Sequence, residues 1–183
     1  MFRSLAKYFR RRARAVSRFC AAEQGATAVE FALIAPPFIA MLFAVIQTTL
    51  FLFAQQALQN AAVEAGRMFM TGSAQTSGLT QTQFNNDVCP MVSALFTCSK
   101  LLVNVATYSS FSSASTSEPS LYNGSGSPIT TGTYSPGTQG EIMVVQLAYP
   151  WPIVGMPLGS VLANTGYGTT EIMGVTAFRV EPY

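Results

Sequence analysis

The chain has 183 residues, 49% of them apolar and only 10% charged, and it has no histidine. That length suits one ordinary domain, or a smaller domain with an appendage, and so few charges make a poor surface for a soluble protein. The lack of histidine removes the usual general base, the common zinc and haem ligand, and any Ser–His or Cys–His couple.

Charge is segregated along the chain. Residues 1–25 hold seven Lys and Arg against Glu23 alone, whereas residues 26–183 hold three against seven Asp and Glu. On a helical wheel, every base of the first group except Arg12 falls within an arc of roughly 100°. Phe2, Leu5, Phe9, Val16 and Phe19 cluster opposite. This is the pattern of a basic amphipathic helix on an anionic membrane surface. A nucleic-acid arm is the competing reading. The long uncharged segment that begins at Phe31 disfavours it, and no nucleic-acid partner is expected.

Phe31–Ala54 reads FALIAPPFIAMLFAVIQTTLFLFA, 24 residues without a charge. As a helix it reaches about 36 Å, enough to cross a bilayer. The cations before it predict a cytoplasmic N-terminal side, with the remainder outside. A cleaved secretory signal would carry a shorter apolar region, roughly 7–15 residues, so an anchor is expected. Glu30 stands at the mouth of this run, in the string QGATAVEFALIAPP. A carboxylate beside a bilayer is costly and is a functional hypothesis by default.

These residues resemble the prepilin processing site of type IV pilins, in the variant of the Tad (tight adherence, Flp) systems. There a basic leader ends in Gly, a Glu is fifth after the cut, and an aromatic follows. The resemblance implies cleavage by a prepilin peptidase between Gly25 and Ala26, with Glu30 and Phe31 serving filament assembly. Flp major pilins typically carry Tyr where this chain has Phe31. The implied chemistry is a pairing of Glu30 in one subunit with the new ammonium of Ala26 in its neighbour. Pro36 and Pro37 would remove the helical bonds to Ala32 and Leu33, either as a tolerated kink or as a flexible point for leaving the bilayer.

The helix is expected to run from Ala26 to about Phe69. Ala54, Ala57, Ala61 and Ala65 form a small-residue stripe that permits close packing. AAVEAGR, from Ala61 to Arg67, resembles a stretch of TadE-like proteins, and Glu64 and Arg67 suit an ordinary i,i+3 pair. Beyond the polar Thr71–Gly78 linker, Phe84, Val88, Met91, Val92 and Leu95 lie on one helical face, with Pro90 expected to kink or restart it. LLVNVATYSSF, EIMVVQLAY and TTEIMGVTAFRVEPY read as strands. Residues 112–140 read as a long exposed loop, with Asn123-Gly124 a hairpin signal. Tyr149 and Trp151 suit either a membrane interface or, preferably, cover for the domain core.

A G-E-I-x-V-V strand, then Y-P-W-P, then a strand ending E-P-Y again resembles TadE-like minor pilins. The resemblance thus runs from Gly25 to Phe69 and from Gly140 to Tyr183. Cys89 and Cys98 fall outside the membrane, where disulfides persist, and are expected to pair; Cys20 falls in the leader. C-x8-C without histidine is a poor metal site, and no nucleotide-binding glycine loop is present. Neither catalytic residue, metal nor cofactor is expected.

The expectation is therefore an α+β protein: a cytoplasmic leader over 1–25, a transmembrane and stalk helix over 26–70, and a periplasmic domain with an antiparallel sheet over 71–183. The resemblance implies a minor pilin or pseudopilin of a Tad pilus, active in assembly, priming and surface adhesion. Its partners would be the prepilin peptidase, other minor and major pilins, the inner-membrane assembly platform and membrane lipids. The alternative is a single-pass inner-membrane scaffold subunit that keeps its leader.

Overall fold

The structure is a computed structural model that describes residues 24–153, 163 and 165–183. The amphipathic helix expected in the leader, Cys20 and the cationic cluster lie outside the described residues. The order of elements is helix α1 (Gln24–Met70), a short helix α2 (Ser73–Thr76), helix α3 (Gln81–Val92), then strands β1 (Leu102–Tyr108), β2 (Thr131–Tyr134), β3 (Ile142–Pro152) and β4 (Thr169–Arg179). Two compact units divide at Val45 and Ile46.

In the first unit, residues 24–45 are helical and carry Pro36 and Pro37 inside the helix. Val29, Phe31, Leu33, Ile34, Phe38, Ile39, Met41, Leu42 and Phe43 are all exposed. The stretch thus has no core of its own. Its helicity satisfies the backbone internally, which is what a segment needs where water is absent.

In the second unit the same helix has a buried face. Ala54, Leu58, Ala61, Ala62, Ala65 and Phe69 are buried, recurring at the three- and four-residue steps that line one side of a helix. The sheet they meet has four strands in the order β2-β1-β3-β4. β3 pairs antiparallel with both β1 and β4. β2 pairs parallel with β1, so the expected antiparallel sheet acquires one parallel edge from inside the 112–140 loop.

β3 is buried along nearly its whole length. One face (Met143, Val145, Leu147, Tyr149 and Trp151) joins α1 and α3 in the main core. On the other, Ala148 packs with Leu102 and Leu121. The loop before β2 therefore covers a sheet face, contrary to the expectation of a freely exposed loop. Its fold-back is closed by a bridge between Tyr122 and Pro128. The Asn123 carboxamide oxygen accepts from the Ser125 and Ser127 amides at 3.0 and 2.9 Å, and the positive φ falls at Gly126, not Gly124.

α3 starts at a Thr80 capping box closed by Gln83, which satisfies two of the free amides of its first turn. Phe84, Val88 and Val92 are buried while Met91 is exposed. Pro90 sits near the end of an unbroken helix and causes no restart; the helix stops two residues later. Cys89 and Cys98 are joined by a disulfide with Cα atoms 5.7 Å apart, tying the end of α3 to the turn before β1. Tyr149 and Trp151 are buried and pack edge-on against Phe96, so they serve the core.

Candidate functional site

The chemistry-bearing part of the sequence is the start of α1. Gly25 is exposed and a side chain there would meet nothing. Glu30 and Phe31 are exposed one after the other, and Phe31 is 73% accessible, among the most exposed large apolar residues. No salt bridge reaches Glu30 among the described residues. The span Thr27–Met70 contains an 18-residue window of mean hydropathy 2.2, none of it buried. Here is one helix long and apolar enough to cross a membrane. From Phe31 to Ala54 its surface is uncharged, with Glu30 at the mouth of that stretch, a combination suited to lipid or to other apolar helices.

Residues 25–73 match the model of the TadE-like protein family. The chain carries a TadE-like segment. The match begins at Gly25 and ends just past α1, and it associates the chain with Tad pilus systems. It stops short of the sheet, so the resemblance over Gly140–Tyr183 is no part of it. No curated protein and no solved structure matches the chain.

The TadE-like helix is locked to the sheet by side chains that hydrophobic periodicity does not single out. β4 is an edge strand, and an open edge is a template for unwanted pairing. α1 closes it. The Gln59 amide nitrogen donates to the Val175 carbonyl at 2.8 Å while its oxygen accepts from the Val175 amide at 3.0 Å. Gln55 donates to the Met173 carbonyl at 2.7 Å. Close approach requires glycine: a Cβ on Gly174 would run into the Leu58 backbone, and one on Gly66 would stand 2.6 Å from Thr176. At the opposite edge, Gln81 donates to the Gly132 carbonyl at 2.9 Å. The signal in the sequence is the pair of Gln four residues apart beside the alanine stripe.

Behind β3 lies a polar chain. The Thr133 amide donates to Asn104, Asn104 donates to Gln146, and Gln146 donates to the Ser117 carbonyl, at 2.8, 2.9 and 3.1 Å. This satisfies the buried Gln146 and pins the covering loop. On β4 of the same face, burial pushes the half-buried Glu171 carboxyl up to about 7, and the charge of Glu118 adds to the shift. No cluster of three or more His, Cys, Asp or Glu suited to a metal occurs among the described residues. Glu64 and Arg67 pair at 3.8 Å on the exposed side of α1, the ordinary surface pair expected.

Proposed function

We propose that the chain is a minor pilin, or pseudopilin, of a Tad/Flp-type pilus. It enters the inner membrane with its basic leader in the cytoplasm and its sheet domain in the periplasm. A prepilin peptidase cuts between Gly25 and Ala26, and the freed helix joins other minor and major pilins at the assembly platform. Glu30 pairs with the new ammonium of a neighbour's Ala26. A carboxylate among apolar helices is costly alone, and a partner ion offsets that cost. The Pro36-Pro37 pair supplies the give that a helix needs when it passes from lipid into a filament. The observation that carries this reading is the TadE-like match starting at Gly25, on a helix whose first half exposes its apolar residues after Glu30. Surface adhesion, or priming of the filament, is then the task of the outer domain.

The test is mass spectrometry of the N-terminus, with and without the cognate peptidase. The expected mature start is Ala26, and sheared surface fibres should contain that form. A retained Met1 and arginine-rich segment would instead make the protein a single-pass scaffold subunit. Glu30→Ala should leave cleavage largely intact and abolish incorporation beside other pilins; normal incorporation would count against the pairing.

A further inference from the structure

α1 and β4 run in step. From Gln55 to Gln59 the helix advances four residues, about 6 Å, and the carbonyls it reaches advance two strand residues, from Met173 to Val175, about 6.6 Å. Carried back along β4, Thr169 lies about 13 Å before Met173, level with about nine helical residues before Gln55, that is with Ile46. The tip of the sheet, where Pro152 pairs with Thr169, therefore shares its depth with the Ile46–Phe53 stretch of helix. Ile46, Leu50, Leu52 and Phe53 are exposed there. They continue the apolar surface of the membrane-length span. Whatever solvates these side chains also meets the sheet tip.

The tip is built for such a place. Tyr167 is 51% exposed and its ring lies 4.5 Å from that of Tyr122, whose hydroxyl is 2.9 Å from the Thr169 hydroxyl. Tyr167 lies over Gly126, which has a positive φ and no side chain to hold it off. Among the described residues, none between Glu118 and Glu141 or between Glu141 and Glu171 is charged. Lys100, exposed just before β1, stands on the tip side of the strand register. The far end of the sheet is different: Arg179 donates to the Gly140 carbonyl at 2.9 Å, Glu141 accepts from the Thr138 amide at 2.6 Å, and the Glu181 amide donates to Met70. The tip end has hydroxyls, tyrosines, Lys100 and two acids: the half-buried Glu171, two residues in from Thr169, and the exposed Glu118, whose charge is felt by Glu171. Amphipathic rings and a long cationic side chain are what the bilayer interface favours.

We infer that the sheet tip, through Tyr167, Tyr122 and Lys100, rests on the lipid headgroup layer beside the helix. This inference rests on the membrane-anchored reading of α1. It makes the outer domain a body held against the bilayer until extraction, and lipid release becomes a step in that extraction.

Trp151 is the chain's one tryptophan, so Trp151→Phe gives a full-length chain free of that fluorophore. A probe is placed at the tip (Tyr167→Trp) or, as a control, in the helix (Phe38→Trp). Each is reconstituted in phosphatidylcholine–phosphatidylglycerol vesicles with or without lipids brominated near the top of the acyl chain. The tip probe is expected to lose about half its emission to the brominated lipid. A quenched helix probe beside an unquenched, iodide-accessible tip probe overturns the tip contact and leaves the anchor standing. Two unquenched probes overturn both. If Trp151→Phe disturbs the fold, the chain keeps its native Trp151 and carries Cys20→Ser with Tyr167→Cys bearing an environment-sensitive fluorophore; a label that brominated lipid does not quench again overturns the inference.

Discussion

Phe31 and Phe69 stand in one helix, yet they have opposite surroundings. Phe31 is exposed; Phe69 is fully buried, edge-on to Phe84 at 4.8 Å and to Tyr134 at 6.1 Å. Among the described residues, 24–45 carry their large apolar side chains outward. The second unit closes its own core from α1, α3 and one face of the sheet. The difference shows that hydrophobicity alone does not set a segment's role. What decides is whether the rest of the chain offers it a partner. Where α1 presents alanines and glycine, the sheet approaches; where it presents Phe, Leu and Ile all round, the partner has to come from outside.

The sharpest test of that contrast is a matched pair of substitutions in full-length protein in detergent. Phe69→Ala is expected to destabilise the sheet domain by about 3–5 kcal/mol, because a cavity opens among packed rings. Phe31→Ala should leave the thermal unfolding midpoint unchanged and appear only in membrane partition or assembly. Equal losses from the two would show that residues 24–45 have an intramolecular core after all.

Next in size is the disulfide. Removing it with Cys89→Ser and Cys98→Ser together should cost about 2–3 kcal/mol on the loop-entropy view, read as a lower midpoint under oxidising conditions. Under reducing conditions the variant and the parent should converge. A loss confined to the sheet domain keeps the comparison; any change in the membrane partition of α1 breaks it.

A smaller effect is expected at the β4 edge. Gln59→Leu keeps the volume but leaves the amide and carbonyl of Val175 without their partners, at a cost of about 1–3 kcal/mol. The variant should also self-associate, since an uncovered edge recruits strands. Light scattering measures this. A monomeric Gln59→Leu chain would mean that α1 shields the edge by bulk alone.

The apolar span, the α3 face, the cysteine pair and three of the four strands were legible because each rests on local periodicity or composition. The concealed features were long-range. β2 is four residues long, TGTY, with a glycine where the carbonyl of Val103 approaches; nothing local distinguishes it from loop. The loop's covering role could be read only from its target: IMVVQLAYPWP has no polar alternation apart from Gln146, which is how a strand buried on both faces reads. The restart expected at Pro90 does not occur: the proline gives up one bond to the preceding turn, while buried Val88 and Val92 on either side and the disulfide at Cys89 hold the helix to its end. At the candidate site, the order Gly25, Glu30, Phe31 and the double proline came from the sequence, whereas the glutamines that fasten the helix to β4 needed coordinates.

The least effect, and the most specific one, is at Glu171. Its carboxyl titrates near 4.5 when freely solvated and at about 7 in the folded protein, first because burial disfavours the charge and second because Glu118 repels it. Between those values the folded chain holds a proton that the unfolded chain has released. Stability therefore falls as pH rises from about 4.5 to about 7 and levels off above that. The group is only half-buried, so solvent screens most of the penalty. Glu171→Gln should flatten that fall and, above pH 7, raise the unfolding midpoint by roughly 1–2 °C. In Glu118→Gln the fall should end at a slightly lower pH than in the parent, since repulsion is the lesser cause. Thermal melts across this pH range decide the matter: an unaltered slope in Glu171→Gln would assign the dependence to another group.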